Sequence, residues 1–201
     1  MNRIFERFPA LETERLRLQQ ITNEHVFDLF TYFSRDDLTK YYDIDTFYTM
    51  EQSFSLVHFF KRRFRSREGI RWGLINKETN RLIGTCGFHR IEKINRKAEL
   101  GYDLSPDYWQ QGFMTEAARR IVEFGFNDMG LHRIEAYYFE DNLASRQLLL
   151  KLGFQREGNL KGRFFKHGEF VDAVVAALLK PEYDKMQENT FEPTIQKRRG
   201  V

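Results

Sequence analysis

Between Thr115 and Met129 the positions Ala118, Ile121, Val122, Gly125, Phe126 and Met129 recur three or four residues apart, the spacing of a helix with one buried face. Gly130 supplies its stop. A second helical pattern runs from Met50 to Arg67, with Phe54, Val57, Phe60 and Phe64 on one face, Lys61, Arg62, Arg63, Arg65 and Arg67 around it, and Gly69 as its end. A third follows the cap residue Thr22 and carries Val26, Leu29, Phe30 and Phe33. Elsewhere the period drops to two, as in a half-buried strand: Leu16 and Leu18 within Arg15 to Ile21, then Ile70 to Asn76, Leu82 to Ile91 and Ala98 to Leu104. The last three are joined by the polar turns KETNR and EKINRK, which makes an antiparallel meander the economical topology. His132 to Phe139 predicts another strand, and Asn142 opens a short helix through Leu148, Leu149 and Leu152 that Gly153 closes. Two final strands, Phe154 to Phe165 and Glu169 to Leu179, flank a turn at His167 and Gly168. The order β-α-α-β-β-β-α-β-α-β-β predicts an α/β protein with a mixed sheet in a single domain over residues 11–183, followed by a polar, mobile tail over 184–201.

Composition narrows the function more by exclusion than by assignment. The 201 residues, 41% hydrophobic, fill one core and are few for two. A net charge of +3 with interleaved signs lacks the one-sided basic footprint of a dedicated nucleic-acid binder. Cys86, the only cysteine, rules out intrachain disulfides and thiolate metal clusters, and a small buried core residue is its expected role. The five histidines are scattered without ligand spacing, so no metal is expected. No apolar run approaches the ~20 residues of a membrane span, and a cytoplasmic location is expected.

The stretch YWQQGFMTEAARR, from Tyr108 to Arg120, carries the first chemical signal. The opening amides of a helix lack intrahelical acceptors and attract anions, and Gly112 would let a diphosphate approach the backbone of Gln111 to Thr115. Glu116 opposes a bound anion unless it pairs with Arg120 four residues on. YWQQGFMTEA resembles the acetyl-CoA signature of the GNAT superfamily of N-acetyltransferases: Gln or Arg, two variable residues, Gly, one variable residue, then Gly or Ala. AELGYDLSPDYW before it, and HRIEAYYF and DNLASRQLLLKLGF after it, are similar to the RimJ/RimL-like (ribosomal-protein-alanine N-acetyltransferase) branch. The resemblance runs from TERLRL to about Tyr183. Trp109 and Met114 depart from it, standing where the pattern has Gln or Arg and Gly or Ala.

The resemblance implies the GNAT fold, acetyl-CoA as cosubstrate and a primary amine as acceptor, most simply a protein N-terminus, a ribosomal protein's included. A small amine (a polyamine, an amino sugar or antibiotic, an amino acid) is the alternative acceptor, and a non-catalytic acyl-CoA sensor is the alternative class. It also implies coenzyme contacts at Leu104, Gln110, Gln111, Gly112, Phe113, Met114, Thr115, Asn142 and Ser145. Glu99, in the strand before the phosphate loop, is the candidate base, and Ser145 the candidate partner of the departing sulfur. Many relatives have a tyrosine acid where this chain has Leu149, and a carboxylate before the last hairpin where it has Arg163, Phe164 and Phe165. Tyr41, Tyr42 and Phe47 are expected to line the acceptor side. With no nucleophile placed for an acetyl-enzyme, direct transfer in a ternary complex is expected.

Overall fold

Alternation places Leu16 and Leu18 wholly inside the protein, and they anchor the strand that starts the main sheet. In this computed structural model, which describes residues 2–196 apart from 43 and 167, the elements run as follows. Strands β1 (Leu11–Glu12) and β2 (Leu16–Gln20) precede helices α1 (Val26–Phe33), α2 (Asp36–Thr39) and α3 (Met50–Arg65). Then come β3 (Ile70–Asn76), β4 (Leu82–Glu92), β5 (Lys97–Leu104), α4 (Phe113–Asn127), β6 (Arg133–Tyr138) and α5 (Leu143–Lys151). The final elements are β7 (Gln155–Lys166), β8 (Glu169–Leu179) and α6 (Lys180–Gln196). Among the described residues eight strands form one sheet in the order β1-β2-β3-β4-β5-β6-β8-β7.

The expected meander is present, since β3, β4 and β5 are successive antiparallel neighbours. Among the described residues only β5 and β6 pair in parallel, and their pairing ends at Glu99 and Glu135 although the strands continue to Leu104 and Tyr138. The sheet therefore splits into a V. One face carries a core built from α1, α2 and α3 on Ile75 and Leu82; the other carries α4 and α5, whose Ala118, Ile121, Val122 and Leu149 are buried.

Two expectations about α3 are corrected. In α3 the buried stripe is Ser53, Leu56, Val57 and Phe64, whereas Phe54 is exposed. The left-handed residue after α3 is Arg67, at φ 60°, and Gly69 serves instead as a close-approach site where a Cβ would lie 2.9 Å from the Phe88 carbonyl oxygen. The chain after Pro181 is helical through Gln196. Proline suits a first helical turn, where its missing N–H has no acceptor to lose, and Tyr183 is buried with its ring 5.0 Å from that of Phe126. The short α2 was not foreseen, and His167 of the expected hairpin turn lies outside the described residues, as do residues 197–201.

Candidate active site

The V between β5 and β6 opens into a cleft of about 1050 Å³, lined by residues from α1 to α5 and β3 to β7. Its volume sits at the upper end of the range for small-molecule and cofactor sites. Glu99, Leu104, Gln110, Gly112, Met114, Thr115, Asn142, Ser145, Tyr41 and Tyr42 all line it. Three expected contacts do not. Phe47 is buried with its ring stacked on Phe33 at 5.0 Å, so it is core beneath the acceptor side. Phe113 is buried, edge-on to Tyr108, and its ring lies under the Arg15 guanidinium at 4.1 Å. The Gln111 side chain turns back to donate to the Asp107 carbonyl.

At the start of α4, Gly112 is the N-cap at φ 80°, a left-handed conformation that favours glycine, and Gln110 is also left-handed at φ 59°. The first helical bond is donated by Glu116 N–H to the Gly112 carbonyl. Among the described residues no acceptor takes the amides of Gln111 to Thr115, so the turn presents a row of free donors. Glu116 does not obstruct them. Its partner is Arg15 rather than Arg120: it accepts from the Arg15 backbone N–H at 2.8 Å and from Nε at 2.7 Å, while Arg120 pairs with Glu123. Burial pushes the Glu116 carboxyl up, but bonds from Thr13 and Arg15 hold it below the usual range. Trp109 folds back so that its indole N–H donates to the Leu104 carbonyl at 2.7 Å, tying the phosphate loop to the end of β5.

Side chains alternate along β5, so Glu99, Gly101 and Asp103 face α1 and α3, whereas Tyr102 faces α5. The β4–β5 register slips between His89 and Glu92, and Arg90 is left-handed at φ 48°. Such irregularities re-aim side chains. Here His89 Nε2 lies 3.1 Å from one Glu99 oxygen and Arg90 Nη1 3.2 Å from the other. Burial raises the Glu99 pKa, and these two partners outweigh it, so the group is held below the ordinary carboxylate range. The basic residues nearby in sequence are engaged elsewhere: Arg96 donates to the Gly130 carbonyl and Lys97 pairs with Glu92 and Glu135.

One constellation was not foreseen from the sequence. Asp103 is fully buried and accepts from Tyr32 Oη at 2.8 Å, Thr85 N–H at 3.0 Å, Tyr42 Oη at 3.0 Å and Arg71 Nη2 at 2.7 Å. Gly101 makes room for this pair, because a Cβ there would sit 2.7 Å from Arg71 Nη1. The network fastens Tyr42, and with it the segment after α2, to the floor of the cleft. Lys166, from β7, secures the same segment from outside by donating to the carbonyls of Thr39, Lys40 and Tyr42.

On the α5 side Asn142 acts as N-cap, its Oδ1 accepting from Ser145 N–H at 3.0 Å. Ser145 is buried, and its hydroxyl lies 2.5 Å from that of Tyr102. Glu99 and Ser145 thus reach the cleft from opposite faces of the sheet. Cys86 is buried, as expected, and burial pushes its thiol up to about 12, Arg71 offsetting part of that.

Comparison with known proteins agrees with this geometry. Residues 15–155 match the acetyltransferase (GNAT) domain family. The chain is 42% identical over 174 residues to the uncharacterised N-acetyltransferase YoaA of Bacillus subtilis (strain 168), covering 87% of this chain and 98% of that one. It is 30% identical over 113 residues to the [ribosomal protein uS5]-alanine N-acetyltransferase of Escherichia coli (strain K12), covering 56% and 58% of the two chains. A spermidine N(1)-acetyltransferase of the same organism is 29% identical over 93 residues, 46% of this chain and 50% of that one. Among solved structures, a GNAT-family acetyltransferase from Bacillus anthracis superposes with a TM-score of 0.76 at 26% identity, covering 86% of this chain and 99% of that one.

Proposed function

The chain belongs to the acetyltransferase (GNAT) domain family and is an N-acetyltransferase, and we propose that it transfers acetyl from acetyl-CoA directly to the N-terminal amine of a protein. The observation that carries this reading is the V between β5 and β6, which brings a row of free amides, Glu99 and Ser145 into one cleft. The coenzyme's diphosphate would sit on the amides at the start of α4, and its pantetheine arm would run into the V beside Asn142 and Ser145. There the unpaired flanks of β5 and β6 offer backbone N–H groups to polarise the thioester carbonyl.

An α-amino group titrates near ~8, so roughly a tenth is already neutral at pH 7. The residual task is to collect one proton, and Glu99, held ionised by His89 and Arg90, takes it through water. The nitrogen attacks the thioester carbon, the carbon–sulfur bond breaks, and Ser145 hydrogen-bonds the departing sulfur. Of the two protons an ammonium sheds, the first passes from Glu99 to bulk water, and the second, lost as the amide forms, ends on sulfur.

The acceptor side supports a single-amine substrate over a polyamine. Three of the four carboxylates lining the cleft, Asp37, Glu99 and Asp103, are already paired with Arg35, Arg90 and Arg71, and Asp141 is the fourth. A second ammonium at any of those three would have to displace its partner. Tyr41, Tyr42, Phe59 and Phe60 instead give an aromatic wall suited to a peptide's first side chains. A thiol-release assay with N-terminal peptides, polyamines and aminoglycosides tests this directly. Release with peptides alone is expected, and turnover confined to polyamines would sink the acceptor assignment.

A further inference from the structure

Ser145 occupies the first turn of α5, where a serine hydroxyl commonly turns back to a carbonyl three or four residues earlier. Here it does not. Among the described residues no carbonyl accepts from it, and its hydroxyl partner is Tyr102, 43 positions away in the chain, at 2.5 Å. The contact arises because alternation along β5 sends Tyr102 to the α5 face while Asn142 fixes the serine backbone from the other side. A hydroxyl pair has two possible directions. A phenol is far more acidic than an alcohol, so it is the better donor and the serine oxygen the better acceptor. With Tyr102 donating, the serine's own hydrogen is free to leave the pair, and the remaining direction open to it is the cleft that both residues line.

We propose that Tyr102 is a positioning residue for acetyl transfer: it donates a hydrogen bond to Ser145 Oγ and so aims the serine hydrogen at the sulfur leaving acetyl-CoA. This rests on the reading that Ser145 serves that sulfur. Burial raises the phenol well above its ordinary pKa, with the Ser145 contact offsetting part of this, so Tyr102 keeps its proton and its donor role at working pH. It does not surrender that proton in the reaction. The nitrogen–carbon bond forms as the carbon–sulfur bond breaks, and the proton count closes between nitrogen and sulfur without an added reagent.

The test is a double-mutant cycle on the full chain, with acetyl-CoA and a peptide bearing an N-terminal alanine as substrates. Ser145→Ala should lower kcat about 10²-fold, the scale of one lost proton-handling group. Tyr102→Phe should lower kcat about tenfold, the worth of one polarising hydrogen bond, with KM for both substrates and the melting temperature nearly unchanged. In the Ser145→Ala background the same Tyr102→Phe change should cost less than about twofold, because its target is gone. Losses that multiply would overturn the inference, since Tyr102 would then act independently of Ser145. So would full activity in Tyr102→Phe beside a slow Ser145→Ala. An active Ser145→Ala would instead overturn the assignment of Ser145 on which the inference stands.

Discussion

Replacing Arg15 by alanine should weaken acetyl-CoA binding although Arg15 itself need not touch the coenzyme. Its side chain engages Glu116 through Nε at 2.7 Å, donates to the Gln111 carbonyl at 2.9 Å and covers Phe113. Without it, Glu116 remains as an unpaired carboxylate in the first turn of α4, beside the amides expected to hold a diphosphate. A charge in that turn interacts with the half-charge of the helix end by about 0.3–1 kcal/mol, and the same scale for each of two phosphate charges makes the penalty about 0.6–2 kcal/mol. That is a factor of about 3 to 30 in Kd. Calorimetry at two salt concentrations measures it, and the penalty should shrink with salt because the turn faces solvent. Glu116→Gln alone should bind at least as well as the unaltered protein, and the Arg15→Ala/Glu116→Gln pair should recover to within about threefold of it. A double variant as weak as Arg15→Ala would refute the reasoning, for the guanidinium and not the carboxylate would then be what matters.

Other consequences are equally direct. Asp103→Asn leaves Arg71 without its buried counter-charge and should cost about 3–5 kcal/mol in urea unfolding, against about 1 kcal/mol or less for exposed pairs such as Arg156–Glu140. Glu99→Gln should lower kcat by about 10²-fold with little change in acetyl-CoA affinity by calorimetry. In the unaltered enzyme Glu99 is held ionised below the ordinary carboxylate range, so the rise of rate with pH should follow the amine near ~8 and show no inflection from Glu99 between pH 5 and 9. The depressed pKa of Glu116 contributes stability above the unfolded-state value, lost as pH falls through the folded one. The deficit of Glu116→Gln at pH 7 should therefore vanish on acidification below the ordinary glutamate range, as followed by thermal melts. Cys86 should resist alkylation at pH 8 in the native protein and react fully in denaturant, read by mass spectrometry.

The legible parts of this protein are those with a local period. The strands Ile70–Asn76 and Glu169–Leu179 have the bounds read from the sequence, and the buried face of α4 follows from three- and four-residue spacing. At four residues α2 is too short to carry a period, and α6 was hidden because Pro181 reads as a stop when it is in fact compatible with a first turn. The site divides in the same way. Gly112, Asn142 and Glu99 sit in local contexts that announce a helix start, a cap and a strand carboxylate. The partners that set their chemistry do not: Arg15 is 101 positions from Glu116, and Tyr32 is 71 from Asp103. Only sheet register and helix packing bring these together. A faint signal existed in AELGYDL, where Asp103 shares its strand face with Glu99, so a charged residue was due inside the core and required a partner.

The most direct test of the account is a crystal structure of the protein with coenzyme A. The diphosphate oxygens should lie within hydrogen-bond distance of the amides between Gln111 and Thr115, and the thiol should reach the V between β5 and β6 beside Ser145, with the Tyr102–Ser145 contact kept. A coenzyme whose diphosphate lies away from the start of α4, or whose thiol ends outside the V, would contradict both the phosphate site and the roles assigned to Glu99 and Ser145.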